Sequence, residues 1–253
     1  LKPKTILFGP FVGELCWEFF RFAPYAIHLK KTNPNLKLIV LTRPSRFDLY
    51  GQYANILVPL RLREKSNFDG FGMTKYLDEN YYELVGYFRK KFKKRFRLIY
   101  HHYPDVKSWR RKVKWQFPRD QMDYDFRPRK ENTQLAEKMM SKKIGIVDSS
   151  VTEKNIKRDD IIDTVDLMCR ITNFTTDNPT SLGTLIECIK LAKFVVGDIQ
   201  HDISHLSLLL KTPLIHVGKP ISKDYIKLMN PLETPVIMSE NIKQGVRIYE
   251  NNF

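Results

Sequence analysis

The chain has 253 residues, 42% of them hydrophobic and 28% charged, which is enough apolar content for one large core or two small ones and excludes a disordered chain. Lys and Arg outnumber Asp and Glu by 43 to 28, a formal charge of +15 that points to a polyanionic partner. No apolar stretch approaches the roughly 18 residues that span a bilayer. Lys2-Pro3-Lys4 runs into a strand-like stretch without a secretory pattern, and Cys16, Cys169 and Cys188 show no paired metal-type spacing. The expectation is a soluble protein of a reducing compartment, the cytoplasm, or the host cytoplasm for a viral source.

In chain order, Thr5 to Phe8 reads as a strand, Glu14 to Lys31 as a helix, Asn33-Pro34-Asn35 as a turn and Lys37 to Leu41 as a second strand. This is a βαβ unit whose first loop is Phe8-Gly9-Pro10-Phe11-Val12-Gly13-Glu14. A strand, a glycine loop and a helix N-terminus aim several backbone N–H groups and a positive dipole end at one spot, a natural place for an anion or a reacting group. Glu14 stands at that mouth. The alternative is that Glu14 and Glu18, one turn apart, only complement the dipole.

Tyr50 to Leu60 reads as a short helix and a strand ending at Val58-Pro59-Leu60. From Arg61 to Glu131 the chain is basic and aromatic, with helix expected over Tyr76 to Phe96 and a strand over Arg97 to Tyr100. Two runs stand out: Arg89-Lys90-Lys91-Phe92-Lys93-Lys94-Arg95-Phe96-Arg97 and Lys107-Ser108-Trp109-Arg110-Arg111-Lys112-Val113-Lys114-Trp115. Interleaved aromatics suit a surface that neutralises phosphates and stacks on exposed bases. They equally suit an amphipathic helix with its rings in the core and its charges solvated, and an anionic membrane surface would attract the same face. Asp125 to Asn132 reads as a linker.

The second half alternates more clearly. Helix is expected over Thr133 to Ser141, strand over Ile144 to Val147 and Cys169 to Phe174, and helix over Ser181 to Ala192 behind Asn178-Pro179. Phe194 to Gly197 is a strand, Asp202 to Leu210 a helix, and Pro213 to Val217 a strand closed by Gly218. Continuous apolar strands between helices mean parallel sheets covered on both faces. The expected fold is α/β: two small Rossmann-like domains, 1–131 and 132–253, facing a central cleft.

Two blocks resemble a known family. Gly13-Glu14, the helix with Phe22-Ala23-Pro24-Tyr25, then Leu29-Lys30-Lys31, Pro34 and the strand Leu38 to Leu41 are similar to the opening of heptosyltransferase-type (family nine) glycosyltransferases. Leu191 to Gly197, Ser204-His205-Leu206 and Lys211-Thr212-Pro213-Leu214-Ile215 to Gly218 are similar to that family's donor-domain segment. The resemblance implies a GT-B fold, a nucleotide-sugar donor and inverting transfer. Two departures accompany it: Glu14 stands where the family has Asp, and the loop Asp198-Ile199-Gln200-His201-Asp202-Ile203 lacks the usual Asp-Ser/Thr-Gly and is about one residue longer.

The residues alone support the same chemistry. The helix N-terminus after Gly197, with donors around Gln200 to Ser204, suits a diphosphate, so Gly197, Asp198, Gln200, His201, Asp202, Ser204 and His205 form the expected donor site. Glu14 is the expected catalytic base, taking the acceptor hydroxyl's proton. Gly13, Trp17, Arg89, Lys90, Lys93, Lys94, Trp109, Arg110, Arg111 and Trp115 form the expected acceptor and phosphate-binding side. Lys143, Arg158, Lys193 and Lys219 are candidates to balance the leaving diphosphate. His201 and His205 stand four residues apart, open to reading as phosphate or ribose contacts, helix packing or a metal pair; no metal and no tightly bound cofactor is expected, and His101-His102 reads as structural or acceptor-facing.

The donor is expected to be a UDP-sugar. Charge and aromatic placement favour DNA as acceptor, at a hydroxymethylated pyrimidine exposed or flipped as in phage-type DNA modification. A glycan or lipid-linked acceptor is the alternative, and a catalytically silent nucleic-acid-binding module the other class. A nucleotide-dependent oxidoreductase is disfavoured because Gly9-x-x-x-Gly13 is not the dinucleotide fingerprint.

Overall fold

The computed structural model describes residues 5–11, 15–60, 81–92, 94–99, 117–148, 168–171 and 182–253. The chain divides into two units between Arg129 and Lys130, each built on its own parallel sheet. Among the described residues no helix is long and apolar enough to cross a membrane.

The N-terminal unit has a four-stranded sheet in the order β3-β2-β1-β4, formed by β1 (Thr5–Phe8), β2 (Lys37–Thr42), β3 (Ile56–Pro59) and β4 (Arg97–Ile99), all parallel. Strand order reverses at β1. Beyond it the loop is pinned by Gly9 N–H to the Ile99 carbonyl at 2.6 Å and by Phe11 N–H to the Leu41 carbonyl at 3.2 Å. Gly9 has φ +113°, and a Cβ there would collide with the Leu41 carbonyl, so only glycine lets the loop pass this close to β2.

The single helix expected over Glu14 to Lys31 is interrupted. It comprises α1 (Leu15–Trp17), a π-helical turn over Glu18–Phe22, and α2 (Ala23–Thr32); Glu14 lies outside the described residues. Pro24, in the first turn of α2, is the physical reason. It has no N–H to give and its ring crowds the carbonyl four residues back, so the helix widens there. The released Phe20 carbonyl accepts from Tyr124 OH at 3.2 Å. All five residues of the wide turn are buried, which a regular amphipathic helix cannot do.

Three other expectations change. The short helix expected after Tyr50 precedes it, as a 3-10 helix over Pro44–Leu49. The basic helix is α3 (Tyr81–Phe92), closed by a turn at 94–96; residues 76–80 and Tyr100 lie outside the described set. The segment from Asp123 is not a loose linker: Lys31 pairs with Asp123 and Asp125 at 2.8 Å, Tyr53 OH donates to Asp125 at 2.7 Å, Arg129 pairs with Asp48 at 3.1 Å, and Phe126 is fully buried. Burial alone would raise the Asp125 carboxyl, but hydrogen bonds from Arg127, Lys31 and Tyr53 outweigh it and hold the group well below the usual range.

The C-terminal unit carries a five-stranded parallel sheet in the order β6-β5-β7-β8-β9: β5 (Gly145–Asp148), β6 (Met168–Ile171), β7 (Phe194–Gly197), β8 (Leu214–Val217) and β9 (Val236–Ser239). Its helices are α4 (Lys130–Met140), α5 (Leu182–Leu191), α6 (Asp202–Leu209), α7 (Lys223–Met229) and α8 (Ile242–Asn252). Residues 172–174, at the end of the strand expected over Cys169 to Phe174, lie outside the described set. Strands β5, β7 and β8 are buried along their whole length, including the polar Asp148 and His216, and Val147, Phe194, Val196, Ile215 and Val217 form the core with Ile242 and Val246 of α8. Elements β9, α7 and α8 extend the alternation beyond Gly218.

Candidate functional site

In the C-terminal unit the chain leaves β5 for β6 on one side and returns for β7 on the other, so strand order reverses between β5 and β7. The crevice beyond such a reversal is where open α/β sheets take their ligands. Asp148 closes β5 and is fully buried; Gly197 closes β7, and the chain turns through Asp198 to His201 into α6. The loop after β7 and the first turn of α6 bring Gly197, Asp198, Gln200, His201 and Asp202 to this end of the sheet, whereas Ser204 and His205, the other two expected donor residues, are buried in the interior of the unit.

The local geometry follows from sequence. Asp198 Oδ1 accepts from Gln200 N–H at 3.0 Å, an Asx turn, and the Asp198 carbonyl accepts from His201 N–H at 2.9 Å. His201 is the N-cap of α6 and its carbonyl accepts the His205 N–H at 3.1 Å; Asp202 opens the first turn, where a carboxylate complements the helix dipole. Ser204 is fully buried, and a Cβ on Gly197 would collide with its Oγ. Only a residue without a side chain lets α6 approach β7 this closely.

The two histidines differ. His201 is half-exposed and its Nδ1 lies 3.4 Å from Asp148 Oδ2. The hydrogen bond to Asp148, joined by the nearby charges of Asp198 and Asp202, raises the imidazole above its ordinary value against the pull of burial. His205 is fully buried; burial, and secondarily the His201 charge, push it down to about 3, so it is neutral. The structure packs His205 in the core and leaves His201 at the surface. Among the described residues no group of three His, Cys, Asp or Glu is arranged to hold a metal.

Two residues here escaped the sequence reading. Asp148 follows Gly145-Ile146-Val147 and reads as the start of a loop, and His216 is hidden inside an apolar strand. His216 Nδ1 accepts from Ile199 N–H at 3.1 Å, and its Nε2 lies 3.0 Å from the Lys219 carbonyl.

Of the acceptor side, Gly13, Glu14, Lys93, Trp109, Arg110, Arg111 and Trp115 lie outside the described residues, as do His101, His102 and Arg158. Trp17 ends α1, directly before the π turn. Next to it is a network the sequence did not reveal. Glu18 is fully buried: Oε1 accepts from Thr42 Oγ1 at 2.5 Å and Tyr50 OH at 2.7 Å, and Oε2 from Arg46 Nη1 at 2.9 Å. Burial, then the Glu18 charge, pushes the Tyr50 phenol well up. Glu18 is therefore not a solvated partner of the helix dipole. It ties the π turn to the end of β2 and to the 3-10 helix.

The first basic run resolves into two faces. Phe88, Phe92 and Phe96 pack against Leu7, Leu41 and Leu60, with Phe88 and Phe92 stacked at 5.6 Å. Arg89, Lys90, Lys91, Lys94, Arg95 and Arg97 are exposed. The described rings of this run, Phe92 and Phe96, are thus partly buried against the core, while its described charged side chains are exposed.

No family model matches the chain, and no curated protein matches it. Among solved structures it is similar to a glycosyl transferase family 9 protein from Veillonella parvula, at 10% identity and a TM-score of 0.48, over 100% of this chain and 92% of that one. It is also similar to the E. coli heptosyltransferase WaaC with ADP, at 10% identity and a TM-score of 0.46, over 98% of this chain and 99% of that one. Likeness at this level assigns no residue a role.

Proposed function

We propose that the protein is a glycosyltransferase of GT-B type that moves a sugar from a nucleotide-sugar donor to an acceptor hydroxyl with inversion. The observation that carries this reading is the crevice between β5 and β7, where a bare Gly197, the N-terminal turn of α6 and the Asp148–His201 pair meet. Backbone donors and an imidazole favoured in its protonated form suit a diphosphate, and the carboxylates of Asp198 and Asp202 suit sugar or ribose hydroxyls. The family resemblance of the two sequence blocks supports the same donor class.

In the proposed step the acceptor oxygen attacks the anomeric carbon as the bond to the diphosphate oxygen breaks. Glu14 takes the hydroxyl proton, and the nucleoside diphosphate leaves with the electron pair. Glu18 cannot serve as the base, since both its oxygens already accept hydrogen bonds in a buried network.

For the acceptor, the packing of Phe92 and Phe96 against the core weakens the stacking argument for DNA in that run, while the exposed charge stays. A phosphorylated glycan or lipid-linked saccharide is therefore proposed ahead of hydroxymethylated DNA, because it asks only for charge complementarity. The test is a thermal-shift panel of nucleotide sugars, UDP-sugars first, followed by transfer assays on both acceptor classes. A donor at about a hundredfold its Kd stabilises the fold by ~2.7 kcal/mol. Glu14→Gln should cut kcat by about 10²- to 10⁴-fold with donor affinity unchanged. Binding of DNA without any donor shift would instead establish the silent binding module.

A further inference from the structure

Strands β7 and β8 run side by side until Gly197 and His216, the last pair of their ladder. Past this point the two loops need another tie, and one imidazole supplies it. The ring is 1% exposed, with Nδ1 accepting from Ile199 N–H on the loop after β7 and Nε2 reaching the Lys219 carbonyl on the loop after β8. A carbonyl only accepts, so Nε2 carries the proton and Nδ1 is bare; one neutral tautomer satisfies both bonds.

The surroundings fix the ring. A Cβ on Gly218 would come within 3.1 Å of His216 Cε1, so glycine at that position leaves the imidazole its space. Asp198 Oδ1 lies 3.8 Å from Nδ1 and is itself held by Gln200 N–H at 3.0 Å. Asp198, Ile199 and Gln200 are thus fixed by two adjacent bonds, one from the Asx turn and one from β8.

We infer that His216 is a positioning residue for the donor loop: its bare Nδ1 holds the Ile199 amide and so sets the path of residues 198–200 beside the bound diphosphate. The inference rests on the reading of 197–204 as the donor site. The ring does not touch the reacting atoms and acts through the loop.

Two variants of the full chain separate the ring's two bonds. In His216→Asn the amide oxygen falls near the place of Nδ1 and can still accept from Ile199 N–H. In His216→Gln the amide reaches the place of Nε2, keeps the Lys219 bond and leaves Ile199 N–H without its acceptor. Amide hydrogen exchange at Ile199 should quicken in the Gln variant and not in the Asn variant. The Kd of the nucleotide probes UDP and ADP should rise about tenfold in the Gln variant alone, the effect of one buried hydrogen bond.

Equal losses in both variants would make His216 a packing residue and overturn the inference. So would unchanged exchange at Ile199 in the Gln variant, or faster exchange with nucleotide affinity intact. Should the Gln variant fail to fold, ¹⁵N spectra of the wild-type histidines decide: an Nε2-protonated neutral ring at His216 is required, and a protonated Nδ1 overturns it. Failure of the wild type to bind any nucleotide overturns the donor reading itself, and is visible before a variant is made.

Discussion

Arg46 Nη1 lies 2.9 Å from Glu18 Oε2 with both side chains removed from solvent, across 28 positions of sequence. Removing one partner strands the other charge in the core, which costs about 3–5 kcal/mol. Glu18→Gln should therefore lower the urea-unfolding stability of the N-terminal unit by about that amount, and Tyr50→Phe by about 1 kcal/mol. Combining Glu18→Met with Arg46→Met should cost less than the sum of the two singles, since neither charge is then left alone. Additive losses would mean that the pair is not coupled.

Gly197→Ala should destabilise the C-terminal unit by about 1–3 kcal/mol, because the new methyl group meets Ser204 Oγ. Ser204→Ala in the same chain removes that oxygen and should recover most of the loss. Thermal unfolding of the two singles and the double variant measures both steps. No recovery would place the strain elsewhere.

The two histidines at the start of α6 give opposite pH dependences. His201 is raised by Asp148, so its contribution is fully present below the unfolded value of about 6.5 and is lost as pH rises through its folded value. His205 is lowered to about 3, so its contribution is present above about 6.5 and is lost as pH falls toward 3. Urea midpoints across pH 3 to 9 should show both limbs; His201→Gln or Asp148→Asn should flatten the alkaline limb, and His205→Gln the acid one. An alkaline limb unchanged in both His201→Gln and Asp148→Asn would dissolve the pair.

On α3 and the turn after it the prediction divides by face. Phe92→Ala should cost about 1–3 kcal/mol of stability, since its partly buried ring packs against the core cluster. Lys90→Ala and Lys94→Ala should leave stability within about 0.5 kcal/mol. Each should lower the salt slope for a polyanion such as duplex DNA or heparin by about one if it contacts a phosphate or sulfate group. Slopes unchanged in both would move the polyanion contact off this face.

The sheets were legible because their strands are short unbroken apolar runs: Phe194-Val195-Val196 and Leu214-Ile215 can only be buried strand or buried helix, and flanking turn residues choose strand. Gly197 and the residues after it were legible for the same reason, as the places where such runs stop. What was not legible depends on distance. The Glu18 network joins residues 24 to 32 positions apart, and nothing in their spacing announces it. The π turn follows from Pro24, visible in sequence, but its outcome depends on Tyr124 taking the freed Phe20 carbonyl. Asp148 ends a short apolar strand, where a polar residue looks like a boundary, and His216 lies inside one, where it looks like packing rather than a participant.

Both reversals of strand order fall beside the strand that opens a unit, β1 in one and β5 in the other. The loops that emerge there hang outside the ladders, so their length is independent of strand register. A residue can be gained between Gly197 and Asp202 without moving any pair in β5, β7 or β8. That freedom lets the loop between β7 and α6 change length without cost to the sheet, and it carries an obligation. A longer loop has more paths to choose from, and a chain that keeps one must spend a buried side chain on selecting it.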